Sequence, residues 1–163
     1  MRNYLVIWLL FFGGLAVAMA DDLQGKVLWV YDGDTFKMET SQGVVKIRLY
    51  GIDAPEKGQR FADESRQQLI HLIGGRMVTV STESVDPHHR IVGVVTNDGV
   101  NVNLKMIEAG MAWWSRRFAP KNTDYAQAET SARAEKRGLW RDDSQIAPWD
   151  WKKATKDAAN AGR

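Results

Sequence analysis

The chain has 163 residues, with 22 lysines and arginines against 20 aspartates and glutamates and not one cysteine. An exported protein of this composition has no disulfides to stand on, which excludes a disulfide-stapled scaffold. The length matches one ordinary domain able to bury a core of its own.

The N-terminus predicts the compartment. Met1-Arg2-Asn3 is a short positive leader, Tyr4 to Phe12 is an unbroken apolar run, and Ala18-Met19-Ala20 is an A-x-A-type cleavage site. Together they predict a secretory signal peptide over 1–20, a mature start at Asp21 and a periplasmic or secreted location. The alternative is an uncleaved anchor, because Tyr4 to Ala20 is about the minimum length that spans a bilayer. No second apolar run follows, so no stable membrane association is expected after cleavage. Loss of Arg2 leaves the mature chain near neutral. Its basic residues nevertheless crowd the second half at Arg116-Arg117, Lys121, Arg133, Lys136-Arg137 and Arg141. They are either a patch that attracts a polyanion or solvated helix faces.

Strands come first along the mature chain and helices later. Leu23 to Tyr31 reads as a strand broken by Asp32-Gly33-Asp34; Thr35 to Glu39 and Val44 to Tyr50 follow, with a turn at 40–43. In the third strand Val45, Ile47 and Leu49 share one face, so Arg48 points away from the core. Phe61 to Ile73 reads as a helix stopped by Gly74-Gly75. Two more strands span 76–82 and 91–96, with Asn97-Asp98-Gly99 as a turn. Asn101 or Asn103 caps a short helix over 104–109 ended by Gly110, and Thr123-Asp124 starts a helix running to about Arg137.

Five strands with a helix between the third and fourth predict an α+β, mainly β fold: a five-stranded OB-type barrel with about three helices. A ferredoxin-like sandwich would need a helix between the first two strands. The domain is expected over 21–141. Residues 142–163 are a polar tail, apart from Trp149 and Trp151, and are expected to be partly disordered.

The chemistry concentrates between Asp32 and Glu56. Gly33 lets the chain turn sharply between two aspartates, while Pro55 holds Asp53 and Glu56 on one rigid corner. Two carboxylates, a backbone carbonyl and waters suit Ca²⁺. Zinc is unsuited, since the three histidines have the wrong spacing and there is no thiolate. An arginine beside such a site neutralises an anion, and the set fits phosphodiester hydrolysis. Residue by residue the alternatives stay open: Arg48 as an exposed strand arginine, Glu56 as a helix-entry carboxylate paired with Lys57 or Arg60.

Asp32-Gly33-Asp34-Thr35, Ile47-Arg48-Leu49, Ile52-Asp53-Ala54-Pro55-Glu56 and Arg90-Ile91-Val92-Gly93 resemble the staphylococcal nuclease (thermonuclease) family in order and spacing. The likeness continues through Val102-Asn103-Leu104, Glu108-Ala109-Gly110-Met111-Ala112, Ala119-Pro120 and Gly138-Leu139-Trp140. The resemblance implies an OB-type barrel that hydrolyses DNA and RNA with Ca²⁺ and little sequence preference, leaving 3′-phosphate ends. It implies that Asp34, Asp53 and the Ala54 carbonyl ligate the metal, that Glu56 activates water, and that Arg48 and Arg90 bind the scissile phosphate. Asp32 then supports the turn or the metal's surroundings. The chain departs from the family in two places. Asp86-Pro87-His88-His89 stands where an aromatic and a glycine usually precede the arginine, so His88 is a solvated loop residue or a contact for phosphate or base. Ser115 and Phe118 stand where tyrosines are expected; Phe118 can stack on a base, and Arg116 and Arg117 can meet phosphates.

Two other classes remain open at this stage, a non-catalytic nucleic-acid-binding OB module and an exported interaction domain. A binding module has no use for a general base at Glu56. A monomer is the default expectation.

Overall fold

The computed structural model describes residues 22–142 and 144–162, so the predicted leader and cleavage site lie outside the described residues. Strands β1 (Leu23–Val30), β2 (Thr35–Thr40), β3 (Gly43–Leu49), β5 (Met77–Val85) and β6 (Ile91–Asn97) form one sheet, with the short strands β4 (Ile52–Asp53), β7 (Val100–Asn101) and β8 (Trp113–Trp114) added around it. The sheet order is β3-β2-β1-β5-β6-β7, and β3 also pairs with β6. That last pairing, parallel where its neighbours are antiparallel, closes a five-stranded barrel of the OB type.

The period-2 pattern survives in the barrel. Ile47 and Leu49 are buried, while Lys46 before them is exposed and Arg48 between them is half-buried, as the alternation in β3 requires. Phe36, Met38 and Val80 fill the interior beside them. Helix α1 (Ala62–Ile73) adds Leu69 and Ile73 from below, and Asp63 and Glu64 in its first turn complement the helix dipole. Asp98 and Gly99 take left-handed backbone angles in the two-residue turn from β6 to β7, the I′-like geometry that Asp-Gly favours.

Helix α2 spans Val102–Glu108, and of its two candidate caps Asn101 is the one used: its side chain accepts from the Leu104 N–H. Asn103 instead turns inward and is fully buried. Its Oδ1 accepts from the Val95 N–H, and its Nδ2 donates to the carbonyls of Tyr50 and Gly93. This one amide ties α2 to β6 and to the link leaving β3.

Helix α3 (Thr123–Ala134) starts from an Asn122 cap and stops three residues before the predicted Arg137. The chain then turns through Gly138, at a φ of 52°, because its backbone passes hard against Gly110; a Cβ on Gly138 would sit 2.3 Å from the Gly110 carbonyl oxygen. Beyond it Trp140 and Trp113 meet edge to face at 5.4 Å in a satellite core.

The chief difference from expectation is a fourth helix, α4 (Pro148–Ala161), in the stretch read as a polar tail. Proline opens it and alanine and lysine fill it, so helix propensity is high while few apolar residues mark a buried face. Among the described residues no helix is long and apolar enough to cross a membrane.

Candidate active site

The turn between β1 and β2 presents the first carboxylates. The Asp34 N–H donates to Asp32 Oδ1 at 3.0 Å, folding the turn on itself, and the Leu49 N–H donates to the Asp34 carbonyl, pinning it against β3. Gly33 is required here for space: a Cβ would fall 1.8 Å from Ser65 Oγ on α1 and 2.8 Å from the Ala54 methyl. The turn, the helix and the Asp53-Ala54 corner therefore pack as one body.

Asp34 is buried and fully engaged. Its Oδ1 accepts from Thr35 Oγ1 at 2.8 Å and from Arg48 Nη1 at 2.5 Å, and its Oδ2 accepts from the Ala54 N–H at 2.8 Å. The other fork of Arg48 donates to Asp53 Oδ1 at 2.6 Å. Arg48 points away from the core, as β3 alternation demands, and bridges two aspartates 19 positions apart in the chain. Burial, and then the Asp34 charge, push the Asp32 carboxyl up to about 7. The same two causes raise Asp53, with Arg48 pulling against them. Burial works to lower Arg48, yet the Asp34 and Asp53 charges outweigh it and hold the guanidinium above its ordinary value. The corner is short of positive charge even with Arg48 in place.

Arg90 reaches the same place through barrel closure. In the parallel pair Ile47 lies opposite Ile91 and Arg48 opposite Val92, so the residue preceding β6 emerges beside the arginine of β3. The loop before it is organised by Asp86, which sequence reasoning passed over. Its Oδ1 accepts the N–H groups of His88 and Arg90, and its Oδ2 accepts Arg90 Nε at 2.6 Å. Slight burial opposes these hydrogen bonds, which prevail and hold the Asp86 carboxyl below its usual range. The available signal was an aspartate two residues ahead of a backbone N–H that can donate to it, the Asx-turn spacing. His89 takes the left-handed angle, φ 58°, that glycine adopts without strain.

Glu56 stands on the loop after the Pro55 corner, its N–H donating to Gln59 Oε1 at 3.0 Å. Its carboxylate is ion-paired at 2.7 Å with Lys152 of α4. Neither Lys57 nor Arg60, the partners considered from sequence, is the one it meets; Arg60 pairs with Asp142.

A cavity of about 660 Å³ joins Asp34, Arg48, Asp53, Glu56 and Arg90, with the Ala54 backbone and the exposed ring of Phe118 on its wall. Arg66 and Lys152 also line it, and sequence reading had singled out neither. Two expected substrate contacts lie elsewhere. His88 is exposed on its loop and does not line the cavity, and Arg116 stacks over Trp114 at 5.0 Å in an adjoining hollow. Ser115 is mostly buried, its N–H on the Gly51 carbonyl, and it lines the adjoining hollow and not this cavity. Tyr50 Oη donates to the Phe118 carbonyl at 2.7 Å and fixes the segment that carries the ring.

Two arginines, a lysine-paired carboxylate and an acidic corner in one cavity are groups suited to an anionic phosphodiester. Comparison with known proteins agrees: residues 46–142 match the model of the family described as staphylococcal nuclease homologue, well over half of the chain. The chain belongs to the staphylococcal nuclease family. An uncharacterized endonuclease of Escherichia coli is 39% identical over 155 residues, covering 93% of this chain and 98% of that protein. A micrococcal nuclease of Shigella flexneri is 35% identical over 149 residues, covering 85% and 86%, and an uncharacterized endonuclease of Haemophilus influenzae is 34% identical. This family member is a nuclease, a phosphodiester hydrolase acting on nucleic acid.

Proposed function

We propose that this nuclease is exported and Ca²⁺-dependent, hydrolysing DNA and RNA with little sequence preference and leaving 3′-phosphate ends. The observation that carries the reading is the convergence of Asp34, Arg48, Asp53, Glu56 and Arg90 on one cavity.

The residues present fit a hard cation. Among the described residues no three His, Asp or Glu side chains are disposed to share a metal ion, so the donors are Asp34 and Asp53 with the Ala54 carbonyl and water. The set is all oxygen, as calcium prefers, and the upward shifts of Asp32 and Asp53 mark a corner that gains by added positive charge. Bound there, Ca²⁺ would neutralise a non-bridging phosphate oxygen and the charge that develops on it.

The chain's own groups do the rest. Glu56 accepts a proton from water poised against phosphorus, once Lys152 yields its place to substrate. Arg48 spends two of its five N–H donors on Asp34 and Asp53 and keeps three for phosphate oxygens. Arg90 spends Nε on Asp86 and keeps its outer fork. Charge grows on the equatorial oxygens in the transition state, so donors fixed beforehand act where it grows; each commonly accounts for about 10²–10³ in rate.

The experiment is digestion of plasmid DNA and of RNA by the purified mature chain, with Ca²⁺ or with chelator, beside Glu56→Gln. An inert wild type in Ca²⁺, or a variant that cuts as fast, would overturn the reading. N-terminal sequencing of exported material, expected to begin at Asp21, tests the location.

A further inference from the structure

The residues beyond the family match reach into the site. Helix α4 starts six residues past position 142, where that match ends. It is held in place from the Glu56 loop: Gln59 Nε2 donates to the Ile146 carbonyl at 2.5 Å, Arg60 pairs with Asp142, and Pro148 at the first helical position is buried. Two of its residues, three apart and so on one helix face, enter two different hollows. Lys152 lines the catalytic cavity and contacts Glu56. Trp149 lines the adjoining hollow of about 610 Å³, together with Trp114, Arg116, Arg117 and Arg133.

The two hollows are lobes of one groove, because Asp53 and Phe118 line both. Phe118 stands between them with 62% of its surface exposed, and Trp149 is 46% exposed. The groove thus runs from the phosphate-binding arginines, past one exposed ring, to a second exposed ring. Guanidinium groups stand close by: Arg117 lies over Phe118 at 5.5 Å and Arg116 over Trp114. Alternating cations and aromatic faces suit a single strand, which offers a phosphate and an unpaired base per step, better than a duplex, whose base faces are stacked away.

Resting on the nuclease reading, we propose that α4 extends the substrate site: Lys152 takes a phosphate next to the scissile one, and Trp149 stacks on a base of the same single strand. The Lys152–Glu56 pair is then what substrate displaces, its ammonium moving from a carboxylate to a phosphate while Glu56 is released to water.

Fluorescein-labelled oligothymidylates of two and six nucleotides, bound in chelator so that nothing is cut, test this by anisotropy across a salt series. The wild type gains affinity on lengthening. Trp149→Ala reduces that gain about tenfold, and Trp149→Phe restores most of it. Lys152→Gln lowers the slope of log affinity against log salt by about 0.7, and Lys152→Arg recovers it. Should both the lengthening gain and the slope match wild type in Trp149→Ala and Lys152→Gln, α4 is packing alone and the proposal is overturned. Failure of the nuclease reading is distinguishable, since it shows as absent cleavage in Ca²⁺ whatever the binding series gives.

Discussion

Asp86 grips Arg90 twice, accepting its backbone N–H at 3.0 Å and its side-chain Nε at 2.6 Å. An arginine proposed to meet phosphate oxygens with its outer fork is thereby aimed from behind. Asp86→Ala is expected to lower kcat by about 10–10² with a smaller change in KM, since misplacing a clamp loses transition-state contacts first. Because the folded-state pKa of Asp86 is depressed, its contribution to stability is present above the ordinary carboxylate pKa and lost as pH falls through the lower folded value. Asp86→Asn should therefore flatten the acid limb of a Tm-against-pH curve. An unchanged kcat in Asp86→Ala would show that the loop holds Arg90 without it.

Removing Arg48 strands two carboxylates. Asp34 is 4% exposed at its side chain and Asp53 13%, so Arg48→Ala leaves charge that water cannot easily reach. The expected cost is about 3–5 kcal/mol in chelator, read as a drop in Tm, along with a loss of about 10²–10³ in kcat. Ca²⁺ should raise the variant's Tm by more than it raises the wild type's, because the cation then replaces the charge that Arg48 supplied to both aspartates. Scanning fluorimetry with and without Ca²⁺ decides it; equal Ca²⁺ shifts in the two proteins would remove the metal from this corner.

Asn103→Ala is expected to unfold the barrel well below the wild-type temperature. One N–H and two carbonyls lose their partner in the interior, and a small void opens beside them. About 3 kcal/mol follows from the unpaired groups and the void, or roughly 10 °C in a domain of this size. Thermal unfolding followed by circular dichroism measures it, and a shift under 2 °C, roughly 0.5 kcal/mol on the same scale, would mean that water replaces the amide.

The phenol of Tyr125 predicts the alkaline limit. The residue is 1% exposed, its hydroxyl has no hydrogen-bond partner among the described residues, and burial pushes its pKa up to about 12 against the nearby Asn101 and Asn103. The unfolded chain ionises near 10 while the folded chain keeps the proton, so stability is full below pH 10 and falls by up to about 3 kcal/mol as pH climbs to 12. Tyr125→Phe removes that fall and costs little at neutral pH, since the hydroxyl it deletes is unpaired. Urea titrations at pH 8 and pH 11 give both numbers; a parallel loss in the two proteins would assign the alkaline limit to other groups.

The site was legible in the sequence where its residues sit close together in the chain. Asp34, Arg48, Asp53 and Glu56 fall within one stretch of alternating strand and tight turn, and the period-2 pattern alone set Arg48 outward. Arg90 was legible only through family spacing, because the β3–β6 pairing that brings it in joins strands far apart in sequence and leaves no local mark. Asp86 reads as loop punctuation until its three hydrogen bonds are seen. Lys152 and Trp149 were hidden by the low hydropathy of α4, a helix that packs through its N-terminal end and projects its chemistry sideways. Strands β4 and β8 are two residues each, too short for any periodicity to show.

The closing pair β3–β6 also governs when the enzyme becomes dangerous. Ile47 must find Ile91 across a long loop, a contact whose chain entropy makes it late in folding. Until that rung forms, Arg48 and Arg90 belong to separate hairpins and no phosphate can be gripped between them. A chain still short of barrel closure therefore carries all of these side chains and yet keeps its two arginines apart, so that assembly of the cavity waits on topology.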